Sequence, residues 1–151
     1  MKRTARFTLL FLLASGIFFG QQKPAKPDFS GSWAISGPSD PQGGGTDTPF
    51  MRVAHQEPQL KVTFSEAPKS GQQDVWSLTT DGVESTNRIN GKETKSRTFW
   101  QGDSLVTEWV TEADGKPVHH RQTWTLSKDG KRLTLAMHDG ESETTVTALR
   151  I

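Results

Sequence analysis

The sequence predicts an all-β domain in which a single antiparallel up-and-down meander of about eight to ten strands closes into a barrel. After position 28 the chain is rich in Thr, Val, Trp and Phe, and no long stretch has the 3.6-residue apolar period of a helix. Apolar and polar residues alternate in short segments, as they do at Leu60, Val62 and Phe64. Turn signals separate these segments at fairly even spacing, which is typical of hairpins.

Most of the turn signals are Asn-Gly and Asp-Gly pairs. They occur at Asp81-Gly82, Asn90-Gly91, Asp114-Gly115, Asp129-Gly130 and Asp139-Gly140. Both central residues of a type I′ turn need positive φ, which Gly, Asn and Asp adopt most readily. We therefore expect strands at residues 29–36, 50–56, 59–66, 73–80, 84–90, 93–101, 104–112, 117–127, 131–138 and 143–150.

A closed barrel is favoured over a sandwich because closure removes the two exposed edges of a meander. Sandwiches also need long cross-over connections, and the only long gap between predicted strands is Gly37–Pro49, which is rich in Gly and Pro and predicts a flexible loop. Strand 84–90 has almost no apolar face. It marks either an opening in the barrel or a site where a partner adds a strand.

The first residues predict a secretory signal peptide. Three basic residues lie within Met1–Arg6, and the apolar run Phe7–Phe19 follows. The run is too short to span a bilayer comfortably. Cleavage is expected after Gly16 or Gly20. The predicted organisation is a signal peptide at 1–20, a flexible segment at 21–28 and the barrel domain at 29–151.

Export would place the mature chain in the periplasm or outside the cell. No cysteine follows the small residues to carry a lipid, so no membrane anchor is expected after cleavage. Without residues 1–20 the chain holds 15 basic and 17 acidic residues, a net charge of −2. No basic stripe is present, which argues against nucleic acid as a partner. The absence of cysteine means that stability must come from packing and strand pairing.

The first predicted strand begins Phe29-Ser30-Gly31-Ser32-Trp33. This Gly-x-Trp start, at the head of a meander, resembles that of lipocalins and related calycin barrels. The chain is similar to small exported lipocalin-like domains of bacteria, which are mostly of unknown function. The resemblance implies structural roles: Gly31 opens the strand, Trp33 plugs the closed end, and Arg150 of the last strand packs across Trp33. A plain strand start with a buried aromatic residue would also make Trp33 structural.

The inward faces of the predicted strands mix apolar and polar residues. Burying polar groups without partners costs on the order of a few kcal/mol each, whereas a cavity with water or an amphipathic ligand would accept them. Barrels of this size admit one small ligand at most. We therefore predict a ligand pocket lined by Trp76, Trp109, Trp124, Phe64 and Met137, with His55, His120 and Gln122 as orienting polar groups. The alternative is that these polar residues lie near the mouth or pair with each other.

No motif argues for catalysis, a metal or a cofactor. The chain has neither a Gly-x-Ser-x-Gly elbow nor a cysteine nucleophile. Glu93 follows Gly91-Lys92 where a phosphate loop needs Ser or Thr. His119 and His120 are adjacent on a strand and point to opposite faces, so they cannot share an ion. We expect a protein that is not an enzyme.

Two functions fit this sequence. The first is an exported binding module that holds a small apolar or amphipathic molecule in the barrel. The second is a structural or protein-interaction module with a filled core and no ligand, which uses the polar strand or the Gly37–Pro49 loop as its contact surface. The presence of an internal cavity discriminates between them.

Overall fold

Ten antiparallel strands form one curved sheet in the computed structural model, which describes residues 25–36, 49–65, 73–89 and 91–151. The strands are β1 (Gly31–Ser36), β2 (Phe50–Gln56), β3 (Gln59–Ser65), β4 (Gln73–Thr79), β5 (Asp81–Ile89), β6 (Lys92–Gln101), β7 (Ser104–Ala113), β8 (Lys116–Leu126), β9 (Arg132–Asp139) and β10 (Ser142–Arg150). The predicted all-β meander is confirmed. The predicted signal peptide at 1–20 and most of the predicted Gly37–Pro49 loop lie outside the described residues.

The sheet closes because the first strand pairs with the last. Its order is β4-β3-β2-β1-β10-β9-β8-β7-β6-β5, and every neighbouring pair in that order is antiparallel. Among the described residues the ladder is therefore interrupted between β4 and β5. The strand with almost no apolar face, β5, forms one edge of this interruption. Within the described part of the chain, no helix is long and apolar enough to cross a membrane.

A side chain bridges the gap between β4 and β5. The Ser77 backbone N–H donates to Asn87 Oδ1 at 2.7 Å, and Asn87 Nδ2 donates to the Ser77 carbonyl at 3.0 Å. Thr79 Oγ1 donates to the Val83 carbonyl at 3.3 Å. An amide side chain thus takes the place of a ladder pair, and the barrel is nearly closed.

The turn between β4 and β5 comes earlier than the sequence predicts. Asp81-Gly82 was expected to form it, but the chain turns at Thr80, and both residues of the pair lie in β5. The register against β6 shifts between Asp81 and Glu84. Gly82, with φ of 81°, therefore serves a bulge rather than a hairpin turn.

Apolar side chains fill one end of the barrel. Phe29, Trp33, Leu105, Trp124 and Leu133 are fully buried there, and Trp33 Nε1 donates to the Phe29 carbonyl at 3.0 Å. We call this the plugged end; it carries the turns β2–β3, β4–β5, β6–β7 and β8–β9. The opposite end carries the turns β5–β6, β7–β8 and β9–β10, and we call it the hairpin end.

Arg150 ties the plugged end together. Its guanidinium carbon lies 4.3 Å from the centroid of the Trp33 ring. The same group donates to the carbonyls of Ser30 and Gly130, the latter at 2.7 Å. Gly31 has φ of 140°, and a Cβ there would lie 2.7 Å from Arg150 Nη1. Only glycine leaves room for the guanidinium at this position.

Replacing Asn87 by Ala should destabilise the barrel, because it removes both hydrogen bonds across the β4–β5 gap. We expect the free energy of unfolding in urea to fall by about 1 kcal/mol. Thr86→Ala is the matched control, since Thr86 is the neighbouring exposed residue on the outer face. Its effect should stay below about 0.5 kcal/mol. Equal losses in the two variants would mean that the bridge contributes nothing specific.

Candidate binding site

Side chains on the inner face become more exposed from the plugged end to the hairpin end. On β9, Leu133 and Leu135 are buried, Met137 is partly buried and Asp139 is exposed. On β10, Thr144 of the hairpin half is likewise exposed. The apolar core therefore fills the plugged half, and the inner face of the hairpin half is accessible to solvent.

A row of aromatic rings crosses the barrel in the hairpin half. Phe64 and Trp76 have ring centroids 5.1 Å apart, and Trp76 meets Trp109 edge to face at 6.3 Å. Trp109 stacks on His120 at 5.0 Å with an angle of 7° between the rings. All four side chains are only partly buried. The Trp76 indole N–H is nevertheless shielded from solvent and has no hydrogen-bond partner.

His120 is held by two polar neighbours. Its Nδ1 lies 2.5 Å from Asp139 Oδ1, and its Nε2 lies 2.6 Å from Thr111 Oγ1. A carboxylate only accepts hydrogen bonds, so the Nδ1 proton is assigned toward Asp139. Trp109, His120 and Asp139 are direct cross-strand neighbours on β7, β8 and β9. Together they form one wall of the hairpin half.

His55 lies at the plugged end, far along the barrel from His120. Its side chain is 4% exposed, and its ring centroid is 5.9 Å from Phe29 and 6.0 Å from Trp100. The Phe29 backbone N–H donates to Nδ1 at 3.4 Å, and Nε2 lies 3.1 Å from Glu57 Oε1. These contacts account for its burial without a ligand.

Gln122 lies between the two ends, beside Trp124 of the plugged end. Gln122 is 5% exposed, and its Oε1 accepts from Trp124 Nε1 at 3.0 Å. The hydroxyl groups of Thr98 and Thr107 lie beside them and form a hydrogen bond with each other at 2.9 Å. The sequence analysis gives pairing between polar residues as the alternative to a ligand. This alternative accounts for the burial of Gln122. The structure groups Phe64, Trp76, Trp109, His120 and Met137 in the hairpin half, Gln122 in the middle, and Trp124 and His55 at the plugged end.

Sequence reasoning missed two residues of this wall, Thr111 and Asp139. Each follows a predicted pocket residue by two positions, Trp109 in one case and Met137 in the other. Strand alternation places such residues on the same face. The same rule that selected the tryptophan and the methionine could therefore have found both.

The wall is open at one side because β6 and β7 separate. Their pairing ends at Ser96 and Trp109, although β6 begins at Lys92 and β7 extends to Ala113. A cavity of about 660 Å³ fills the split, lined by Lys92, Glu93 and Thr94 on one side and Trp109, Val110, Thr111 and Glu112 on the other. It gives lateral access to Trp109 and Thr111.

A second hollow belongs to the outer surface. It has a volume of about 820 Å³ and crosses β5 to β9. Most of its lining residues lie in the outward register, although Trp109 and His120 also line it. It contains two ion pairs, Lys95 with Glu84 at 3.1 Å and Arg121 with Glu108 at 2.7 Å. Exposed pairs of this kind are solvated surface rather than a binding site.

Glu57 organises the plugged end. Its carboxylate accepts hydrogen bonds from Thr80, from Trp100 Nε1 at 2.8 Å and from His55. Burial raises the pKa of Glu57, but these hydrogen bonds outweigh it and hold the pKa below the usual 4.5. Hydrogen bonds from Ser30 hold the pKa of Asp28 below its usual 3.8 in the same way.

No group of three or more His, Asp or Glu side chains in the described ranges is placed to hold a metal ion. No protein-family model and no curated protein matches the sequence.

Solved structures share this architecture. Secretory abundant heat soluble protein 4 from Ramazzottius varieornatus is 18% identical, with a TM-score of 0.63 over 86% of this chain and 99% of that chain. The wild-type fluorescent protein UnaG is 17% identical, with a TM-score of 0.60 over 82% of this chain and 97% of that one. The REP1-NXSQ fatty acid transporter is 11% identical, with a TM-score of 0.60 over 82% of this chain and 96% of that one. At these identities the likeness establishes the fold alone, an antiparallel meander that forms a nearly closed β-barrel.

Acid should weaken the plugged end. A carboxyl whose pKa is lowered on folding stabilises the protein above its unfolded pKa, and this contribution is lost as the pH falls through the folded value. We expect the urea midpoint to fall as the pH drops from about 5 through the lowered pKa of Glu57.

Glu57→Gln should reduce this acid sensitivity and cost about 1 kcal/mol at neutral pH, because a partly exposed carboxylate loses its charge-assisted bonds. Glu112→Gln, an exposed acid at the other end, is the control. Identical pH profiles for the wild type and Glu57→Gln would contradict the assignment.

Proposed function

We propose that this chain is an exported binding module that holds one small apolar or amphipathic molecule in the hairpin half of the barrel. The row of rings from Phe64 to His120 carries the proposal. Large aromatic faces that stay partly exposed toward the inside of a barrel are the usual lining of a ligand pocket. A filled core would have covered them, as it covers Trp33 and Trp124 at the plugged end.

The fold supports a binding role, since one solved structure of the same fold is a fatty acid transporter. Because one fold serves many functions, the argument for this chain rests on its own residues. Gln122 and His55 have hydrogen-bond partners within the protein, so their burial gives no argument for a ligand. The argument for a ligand is the row of accessible aromatic rings. For this chain we infer binding rather than catalysis.

Export is the second part of the proposal. It rests on the basic start and the apolar run of residues 1–20. A barrel without cysteine needs no oxidising compartment to fold, so it is also compatible with the periplasm or the extracellular space.

An uncharged apolar dye should bind the barrel. We expect N-phenyl-1-naphthylamine to gain fluorescence saturably when titrated with the protein, and to quench tryptophan emission. Trp109→Ala should weaken the affinity about tenfold, since it removes the central ring of the row.

Val75→Ala is the matched control, because Val75 lies next to Trp76 on β4 but is 41% exposed on the outer face. Its affinity for the dye should equal that of the wild type. The proposal fails if the wild type shows no saturable binding, or if Trp109→Ala binds as well as Val75→Ala.

The export proposal predicts a shortened chain in the secreted fraction. When the full-length gene is expressed in a Gram-negative bacterium, intact-mass analysis of the periplasm should show an N-terminus at Ile17 or Gln21. A chain that stays in the cytoplasm and keeps Met1 would contradict export.

A further inference from the structure

The polar pole of the binding site, formed by Asp139, His120 and Thr111, is acidic. Asp139, whose side chain is 51% exposed, lies against His120, whose side chain is 15% exposed. With one proton on the imidazole the pair carries a net negative charge, and with two protons it is neutral. In neither state does it offer a positive charge to a ligand. Thr111 Oγ1 adds an oxygen that can accept a hydrogen bond beside it.

Among the described residues, no arginine or lysine forms an ion pair with Asp139. In the described part of the chain, the arginines of β2 and of β5 to β9 alternate with the inward residues and face outward. Lys92 and Lys116 share the inward register, but they lie four residues beyond Ser96 and His120, or about 13 Å along their strands. Lys92 also lines the cavity between β6 and β7, but both lysines are exposed, so salt screens their charges over distances beyond about 8 Å.

We propose that the ligand is an amphipathic amine, with its protonated head group at Asp139 and its apolar body along the aromatic row. An ammonium group can pair with the Asp139 carboxylate, and Thr111 Oγ1 is a further acceptor on the same wall. The electron-rich faces of Trp76 and Trp109 also favour a cation over an anion. This inference rests on the proposed binding function and names its ligand class.

A carboxylate head group would meet the opposite situation. It would approach the Asp139 carboxylate, which has no ion pair with an arginine or lysine among the described residues. Two like charges in contact repel by about 1 kcal/mol or more. A fatty acid anion is therefore disfavoured here by charge rather than by shape, because its tail would contact the same rings.

The test compares three probes with one twelve-carbon tail and different head groups. Dodecylamine, dodecanol and dodecanoate are used at pH 7 to displace N-phenyl-1-naphthylamine from the full chain. We expect dodecylamine to displace the dye at a concentration at least about tenfold lower than dodecanoate, with dodecanol between them. High salt should reduce the difference, since it screens a partly exposed charge.

Asp139→Asn should abolish the preference for the amine over dodecanol. Glu143→Gln, which removes an exposed acid of the same end from the outward register of β10, should retain the preference. If dodecanoate binds as well as dodecylamine in the wild type, or if Asp139→Asn keeps the preference, the inference is overturned while the binding function stands. If the dye itself does not bind, the proposed function fails and this inference fails with it.

Discussion

The contact of the Arg150 guanidinium with the Trp33 ring is the interaction on which the barrel depends. It joins the last strand to the first, and its hydrogen bonds to the carbonyls of Ser30 and Gly130 fasten both the segment just before β1 and the β8–β9 turn to the same group. A cation over an aromatic ring contributes only about 0.5–1 kcal/mol where it is exposed. Its importance lies in position, because it holds together the residues that seal one end.

Sealing one end divides the barrel into two environments. In the plugged half, large side chains fill the space, and polar groups such as His55 and Gln122 are satisfied by protein partners. In the hairpin half the rings are only partly covered, and Trp109 and His120 form a flat surface beside a carboxylate. One sheet thus provides a packed core and a chemically distinct lining, and the difference follows from where the bulky residues occur along each strand.

Much of this architecture could be predicted from the sequence, because alternation and Gly-containing turns are local signals. The strands, the meander and the inward orientation of Trp76, Trp109 and His120 all follow from them. The position of a residue along the barrel axis cannot be predicted in this way, because it depends on the register between strands. His55 and His120 have similar neighbours in the sequence, yet they lie at opposite ends. The pairing of His120 with Asp139 joins residues of two strands whose register only the structure supplies. Asp81-Gly82 matches a turn and forms a bulge because the chain has already reversed at Thr80.

The Asn87 bridge also bears on how the protein behaves among other proteins. The two strands that end the ladder, β4 and β5, are the places where an unpaired backbone could recruit a strand from another chain. Because Asn87 occupies the N–H and the carbonyl of Ser77, each edge faces the other instead of facing outward. The side chain that nearly completes the barrel therefore also protects the fold against edge-to-edge aggregation.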